Sequence, residues 1–335
     1  MFLPHVTREY RLPKVDGFHN LTLKEAPVPK LKSNEVLVKV HAVSLQYRDL
    51  IVAKVPGSDL AGELIAVGED VKGWKFGERI CSNFATDHIY GDPTEEIEDT
   101  SLGGPIDGVL TEYKILPAHS LVRIPEHLTY EEGATLPAAA LTAYNALMGA
   151  VPLKGGEIVL VQGTGGVSIF GLQLAVASGA TVIATSSSNA KLEFAKKLGA
   201  AHLINYNETP DWDKEVLELT GGRGVDHVLE IGGPGTIVKS VNATRYGGQI
   251  NVIGFVAGPS DLSQLPVLVL AKAIHLRGIL IGSRTQFEDM NRLISAVKLK
   301  PVVDKVFDFE HLREAYEYLE SQQHVGKVVV KVSKD

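Results

Sequence analysis

The rhythm of hydrophobic and polar positions changes near residue 125. Before it, short extended segments are interrupted by Pro and Gly. Glu35-Val36-Leu37-Val38-Lys39-Val40-His41-Ala42-Val43 alternates with period two, the pattern of a half-buried strand. Residues 64–67 and 108–113 read the same way, so this part is expected to be a mostly β unit. Residues 87–107 carry Glu95, Glu96, Glu98 and Asp99 among Gly and Pro, which marks an exposed loop, with an acidic metal cluster as the alternative. Beyond 125, apolar runs alternate with helical stretches. Strands are predicted at 158–161, 181–185, 202–204, 226–231, 249–253 and 276–281, and helices at 167–178, 189–198, 212–219 and 235–245. Gly179 and Gly199 stand where helices should stop. Such alternation predicts an α/β, doubly wound parallel sheet covered on both faces. Past Ser283, helices are expected around 290–299 and 311–319, and a final strand at 327–332 that returns to the first domain. The division is therefore 1–124 completed by 284–335, and 125–283.

Length agrees with two domains, since 335 residues exceed the ~150 that one core usually organises. A net charge of -7 with no basic run argues against nucleic acid or an anionic membrane as partner, leaving a small molecule. The single cysteine, Cys81, excludes an intrachain disulfide and a thiolate metal cluster, and is expected to be buried and inert. No secretory leader pattern and no apolar run of about 18 residues occur, so a soluble cytoplasmic protein is expected.

The strongest chemical signal runs from Ile158-Val159-Leu160-Val161-Gln162 into Gly163-Thr164-Gly165-Gly166-Val167-Ser168. A glycine turn that closes the first strand of an alternating domain and opens a helix suits a pyrophosphate. Gly163 permits the tight turn, Gly165 lets the backbone approach phosphate oxygens, and the helix start offers unpaired N–H groups. Ser168 stands where the third glycine of the usual fingerprint falls, and is small enough for close packing. At the end of the next strand, Ala184-Thr185-Ser186-Ser187-Ser188-Asn189-Ala190-Lys191 has no acid before Glu193 to take a ribose 2′-hydroxyl. The hydroxyls of Ser186 and Ser187 and the Lys191 ammonium would suit a 2′-phosphate, which favours NADP as cofactor. The plainer reading, Ser188 as a helix cap with Lys191 on a solvated face, is compatible with that.

Several blocks in order now resemble the medium-chain dehydrogenase/reductase superfamily, in its zinc-independent quinone oxidoreductase and zeta-crystallin branch. They are Ser44-Leu45-Gln46-Tyr47-Arg48-Asp49-Leu50, Pro56-Gly57-Ser58-Asp59-Leu60-Ala61-Gly62-Glu63, Gly73-Trp74-Lys75-Phe76-Gly77-Glu78-Arg79, the stretch 136–144, the glycine turn, and Leu198-Gly199-Ala200 with Asn205-Tyr206. The resemblance implies a GroES-like substrate domain around a Rossmann domain. It places Gln46, Ser58 and Ala138 where zinc alcohol dehydrogenases keep their catalytic ligands, a set with no three His, Cys or carboxylate donors, so no metal is expected. It implies hydride transfer from NADPH to a quinone or α,β-unsaturated carbonyl. Tyr47 and Arg48 would lie beside the nicotinamide, with Tyr47 the candidate to bond or protonate the acceptor oxygen. Thr142 would lie near the ribose, Tyr206 beside the adenosine, and Gly232, Gly233, Gly254 and Phe255 over the cofactor.

Between Asp49 and Pro56 the chain holds only Leu50-Ile51-Val52-Ala53-Lys54-Val55, where the family carries a longer pocket-lining loop. Either the pocket is truncated and widened or a segment is missing. A secondary-alcohol dehydrogenase, an enoyl-thioester reductase and a non-catalytic NADPH-binding protein therefore stay open beside the reductase. The apolar stretch 276–281 would leave a bare sheet edge, from which a homodimer is expected.

Overall fold

The computed structural model describes residues 3–13, 17–50 and 55–333. The chain divides into two compact units, Met1–Leu141 with Ile281–Asp335, and Thr142–Leu280. The first boundary falls later than the expected 124/125. The reason is packing: a capped helical turn, Tyr130–Gly133, lies on the strands of the first unit, and the amide of Ala138 is hydrogen-bonded to Asp59.

In the first unit β1 (Val6–Arg11) and β2 (Thr22–Pro27) form an antiparallel ribbon. The larger sheet uses β3 (Glu35–Ser44), β4 (Asp59–Val67), β5 (Arg79–Ser82), β6 (Tyr113–Pro117) and β7 (Leu121–Arg123). It is completed from the end of the chain by β14 (Val303–Asp308) and β15 (Lys327–Lys331), in the order β14-β15-β3-β4-β5-β7 with β6 on β3. The last strand thus returns to the first unit, pairing Val329 with Ser44. β3 is buried along nearly its whole length rather than on alternate positions, because it is flanked by strands on both sides and covered by the Tyr130–Gly133 turn. Val36, Val38, Val40, Leu60 and Leu64 build the core with Leu312 and Tyr316 of α10 (Leu312–Glu320).

Two local expectations fail here. Residues 108–112 are not a strand: Gly108, Val109 and Leu110 donate to the backbone of 55–57, so their hydrogen bonds go to a neighbouring loop. A Cβ at Gly108 would sit 2.2 Å from the Gly57 carbonyl oxygen, which makes glycine obligatory at that approach. The acidic stretch 87–107 is not wholly a loop. Thr94 caps a short helix, α1 (Glu95–Glu98), and Ser101 to Gly103 are buried.

The second unit holds six parallel strands: β8 (Ile158–Gln162), β9 (Thr181–Ser186), β10 (His202–Asn205), β11 (Val225–Glu230), β12 (Thr244–Val252) and β13 (His275–Gly278). Their order is β10-β9-β8-β11-β12-β13, so the direction of winding reverses between β8 and β11. Ligands of open α/β sheets bind beyond the carboxyl ends of strands at such a reversal. Helices α4 (Gly166–Ala177), α5 (Asn189–Lys197), α6 (Trp212–Leu219) and α7 (Ile237–Ala243) connect them. Gly179 and Gly199 follow α4 and α5 with φ of 81° and 105°, the left-handed stop that glycine accepts without a Cβ clash. α7 is shorter than the predicted 235–245, because Thr244 and Arg245 join β12. β13 stops at Gly278 rather than 281, and Ile281 turns out of extended geometry with φ 49°.

At the amino end of β11, Asp226 is almost fully buried, with Arg223, Arg245 and the Ile158 amide around it. Burial pushes its carboxyl up, and those hydrogen bonds overcome it and hold the group well below the usual carboxylate range.

Candidate functional site

The glycine turn lies at the carboxyl end of β8. Gly163 has φ 75°, and a Cβ added at Gly163 or Gly165 would meet nothing within 4 Å, so the turn presents bare backbone to open space. Gly165 is the N-cap of α4 and no side chain caps the helix, which leaves the first-turn amides of Gly166, Val167 and Ser168 for an anion. Thr164 is buried within the turn. Close helix-to-strand packing, expected at Ser168, occurs instead at Gly171, where a Cβ would come within 2.3 Å of Leu229 Cδ2. Ser168 plays a different part, because its hydroxyl donates to the Gln162 carbonyl oxygen at 2.6 Å and ties the helix to the end of β8.

At the end of β9, Ser186 is buried and its hydroxyl accepts from the Ser188 amide, while Ser187 is exposed. Ser188 caps α5 by accepting from the Lys191 amide at 3.5 Å, and Lys191 stands half-buried in the first turn. Sequence reasoning missed one neighbour. Glu208 Oε1 accepts from Asn189 Nδ2 at 2.6 Å and from Asn205 Nδ2 at 3.0 Å, which brings a carboxylate to the first turn of α5. Nothing along 184–191 signals it, since it arrives from the far side of β10. Tyr206 is exposed and its amide donates to the Ser186 carbonyl.

Gly232 and Gly233 lie in the turn after β11, and Gly233 is buried there. A Cβ on Gly233 would lie 2.6 Å from the Gly254 carbonyl oxygen, and one on Gly254 would lie 2.4 Å from that of Ile231. These glycines interlock two loops at the carboxyl ends of β11 and β12, with the Phe255 ring left exposed. Thr142 is buried in α3 (Leu141–Met148).

In the first unit, Tyr47 and Arg48 open a 3-10 turn, Tyr47–Leu50. The Tyr47 ring is 42% exposed and so accessible to a ligand. The Arg48 guanidinium is engaged: it donates to the Leu102 carbonyl oxygen at 3.2 Å and stacks on Phe84 at 4.6 Å. Gln46, Ser58 and Ala138 are brought together, around a residue that sequence reasoning did not single out. Asp59 accepts from Gln46 Nε2 at 2.7 Å, from the Ala138 amide at 2.9 Å and from the Ser58 hydroxyl at 2.5 Å. Ala138 lies in a π-helical turn, Leu136–Ala140, a geometry that recurs at functional sites. Burial pushes the Asp59 carboxyl up, opposed by Lys327 and then by those hydrogen bonds. Burial pushes the Lys327 ammonium down to about 8, opposed by Asp59 and Asp49. Burial likewise pushes Asp49 up to about 7, opposed by the Gln46 amide.

This donor set does not fit a zinc ion. Both oxygens of Asp59 are already occupied, and an amide, a hydroxyl and a methyl group supply no further His, Cys or carboxylate donor. Among the described residues, no group of three or more His, Cys, Asp or Glu side chains is placed to hold a metal. Cys81 is buried, donates to the Gly133 carbonyl oxygen, and has its thiol pushed up by burial, so it is not a thiolate. His88 bonds the Gly91 carbonyl, and Asp87 pairs with His119. The shortened loop after Asp49 falls mostly on residues 51–54, outside the described residues.

A sheet wound in this order, with a bare glycine turn at its reversal, and a GroES-like β unit in the same chain together define a nicotinamide-dependent oxidoreductase. Residues 166–296 match the family described as zinc-binding dehydrogenase, and residues 32–126 match the alcohol dehydrogenase GroES-like domain. A zinc-type alcohol dehydrogenase-like protein of Schizosaccharomyces pombe is 48% identical over 336 residues, covering 95% of this chain and 97% of its own. The quinone oxidoreductase of Homo sapiens is 27% identical over 344 residues, covering 96% and 97%. A solved NAD-dependent alcohol dehydrogenase superposes with a TM-score of 0.87 at 31% identity, covering 97% of this chain and 100% of that one. The chain belongs to the medium-chain dehydrogenase/reductase superfamily.

Proposed function

We propose that the protein is an NADPH-dependent reductase that delivers hydride to a quinone or an α,β-unsaturated carbonyl without zinc. The observation that carries this reading is the pairing of the bare Gly163–Gly166 turn with Ser187 and Lys191 at the end of the next strand. The turn's amides hold the pyrophosphate, Tyr206 lies along the adenosine, and Lys191 with the serine hydroxyls takes the 2′-phosphate. When bound, NADPH supplies the hydride. The engagement of Asp59 by Gln46, Ser58 and Ala138 offers no zinc ligand set at that cluster, which supports an acceptor already polarised over an alcohol. The Tyr47 phenol hydrogen-bonds the acceptor oxygen and steadies the charge that develops on it. Arg48 holds the 102–104 segment through Leu102 rather than touching the acceptor.

The working form is a cytoplasmic homodimer. β13 is an edge strand, Leu276 and Leu280 are exposed beside it, and Val267 and Leu270 project from α8 (Leu265–Ala271). Among the described residues, no helix is long and apolar enough to cross a membrane.

Lys191→Glu tests the cofactor assignment. It should weaken NADPH at least tenfold, about 1.4 kcal/mol, and leave NADH nearly unchanged. Equal losses, or none, would reverse the assignment, and Glu208 would then be the natural partner of an NAD ribose. Consumption of NADPH with ortho- or para-quinones, enones, aldehydes and enoyl thioesters, with and without chelator, tests the acceptor class. Tight binding with no turnover across that panel would instead mark a non-catalytic NADPH-binding protein.

A further inference from the structure

Gln162 ends β8 immediately before the glycine turn, and Glu230 ends β11 immediately before the Ile231-Gly232-Gly233 turn. Glu230 is wholly buried and Gln162 nearly so. Gln162 Oε1 accepts from the amides of Ile231 at 3.0 Å and Gly232 at 3.2 Å, while its Nε2 donates to Glu230 Oε2 at 2.9 Å and to Ser240 Oγ at 2.8 Å. Glu230 Oε1 accepts from the Gly233 amide at 2.8 Å and the Thr236 hydroxyl at 2.5 Å, and its Oε2 also accepts from the Ser240 hydroxyl. The Gln162 side chain therefore uses all four of its hydrogen-bonding positions, and the carboxylate is surrounded by neutral donors. On the other side of the same residue, the Gln162 main-chain oxygen takes the Ser168 hydroxyl.

This network stands at the reversal of the sheet, where the loops after β8 and β11 part. It consumes the amides of Ile231, Gly232 and Gly233, leaving the α4 amides to face an anion. We propose that Gln162 and Glu230 are positioning residues: they fix the spacing of the two glycine turns and thereby set affinity for the pyrophosphate shared by both nicotinamide dinucleotides, without touching it. A displacement of about 1 Å in such a cradle is enough to cost much of its binding. The inference rests on the reading of this unit as the cofactor unit.

The amide and the carboxylate are exchangeable in principle, which gives a sharp test. Glu230→Gln alone sets one amide donor against another. Gln162→Glu alone sets one carboxylate against another. The double exchange restores every donor to an acceptor: a carboxylate at position 162 would still accept from Ile231 and Gly232, and the amide oxygen at position 230 would still accept from Gly233 and Thr236. Dissociation constants for NADPH and NADH are measured by protein fluorescence, well below each variant's melting temperature. Each single variant should weaken both dinucleotides alike, by at least tenfold, raising the cofactor KM more than it lowers kcat. The double variant should return to within threefold of the parent. Singles that bind like the parent, an unequal loss of the two dinucleotides, or a double no better than the worse single would overturn the proposal. Should the singles not fold, Ser240→Ala and Thr236→Val serve instead, and unchanged binding by both would overturn it equally. If the parent protein binds neither dinucleotide, the cofactor reading itself fails, which is visible before any variant is made.

Discussion

Each unit buries a carboxylate among donors drawn from distant segments, and the two are satisfied in opposite ways. Asp59 shares its surroundings with a buried ammonium, Lys327, and a second buried acid, Asp49. Glu230 has amides and hydroxyls only. In the first cluster charge answers charge, and desolvation weighs on both partners. In the second, dipoles aimed from several places hold the charge, so the outcome depends on geometry. The difference suits their positions: one cluster fills the space between Gln46, Ser58 and Ala138, and the other holds two backbone turns at a set spacing.

Removing one charge breaks the first cluster most severely. Lys327→Met leaves Asp59 without its counter-charge and should cost about 3–5 kcal/mol in urea unfolding, with Asp59→Asn added to it returning part of the loss. A cost below about 1 kcal/mol would mean that the pair is neutral and the contrast with Glu230 is only apparent. Asp49→Asn gives a smaller, pH-dependent effect of opposite sign. Its folded-state value near 7 lies above the ordinary carboxylate value, so ionisation opposes folding. Stability from this group is full below about pH 4, declines as pH rises to 7, and is flat above. The variant should therefore be more stable than the parent above pH 7, a gain that shrinks as pH falls toward 4. A pH-independent difference would remove Asp49 from the charged cluster. The mildest change sharpens the second cluster: Ser168→Gly deletes the hydroxyl bond to Gln162 and should cost about 1–2 kcal/mol, from the lost bond and from glycine in a helix.

Much of the second unit was legible because its signals are local. β8 and β9 are mainly apolar runs, and Gly179 and Gly199 stop helices by their own backbone freedom. The glycine turn is equally local, being one strand, one turn and one helix. What escaped was assembled from afar. The Asp59 cluster draws on Gln46, Ala138 and Lys327, and no window of sequence contains it. Gln162 and Glu230 are 68 residues apart, although an acid ending a fully buried strand was a usable hint. The segment 108–112 was misread for a related reason: its apolar pattern is real, but the amides of Gly108, Val109 and Leu110 are spent on the 55–57 backbone. The stretch 125–141 was assigned by texture, whereas its partners on β3 and Asp59 decide where it packs.

The pairing of β15 with β3 also fixes an order of events during synthesis. Lys327 reaches the Leu45 carbonyl across 282 residues, and between them the ribosome must produce the whole second unit. At about 5–20 residues per second, the amino-terminal strands wait roughly 14–56 s for the strand that completes their sheet. The Rossmann unit, contiguous in the chain, can close as soon as it emerges. During that wait β3, deeply buried in the finished sheet, has its Ala42–Ser44 edge open, and this interval is when the newborn chain is most exposed to mispairing.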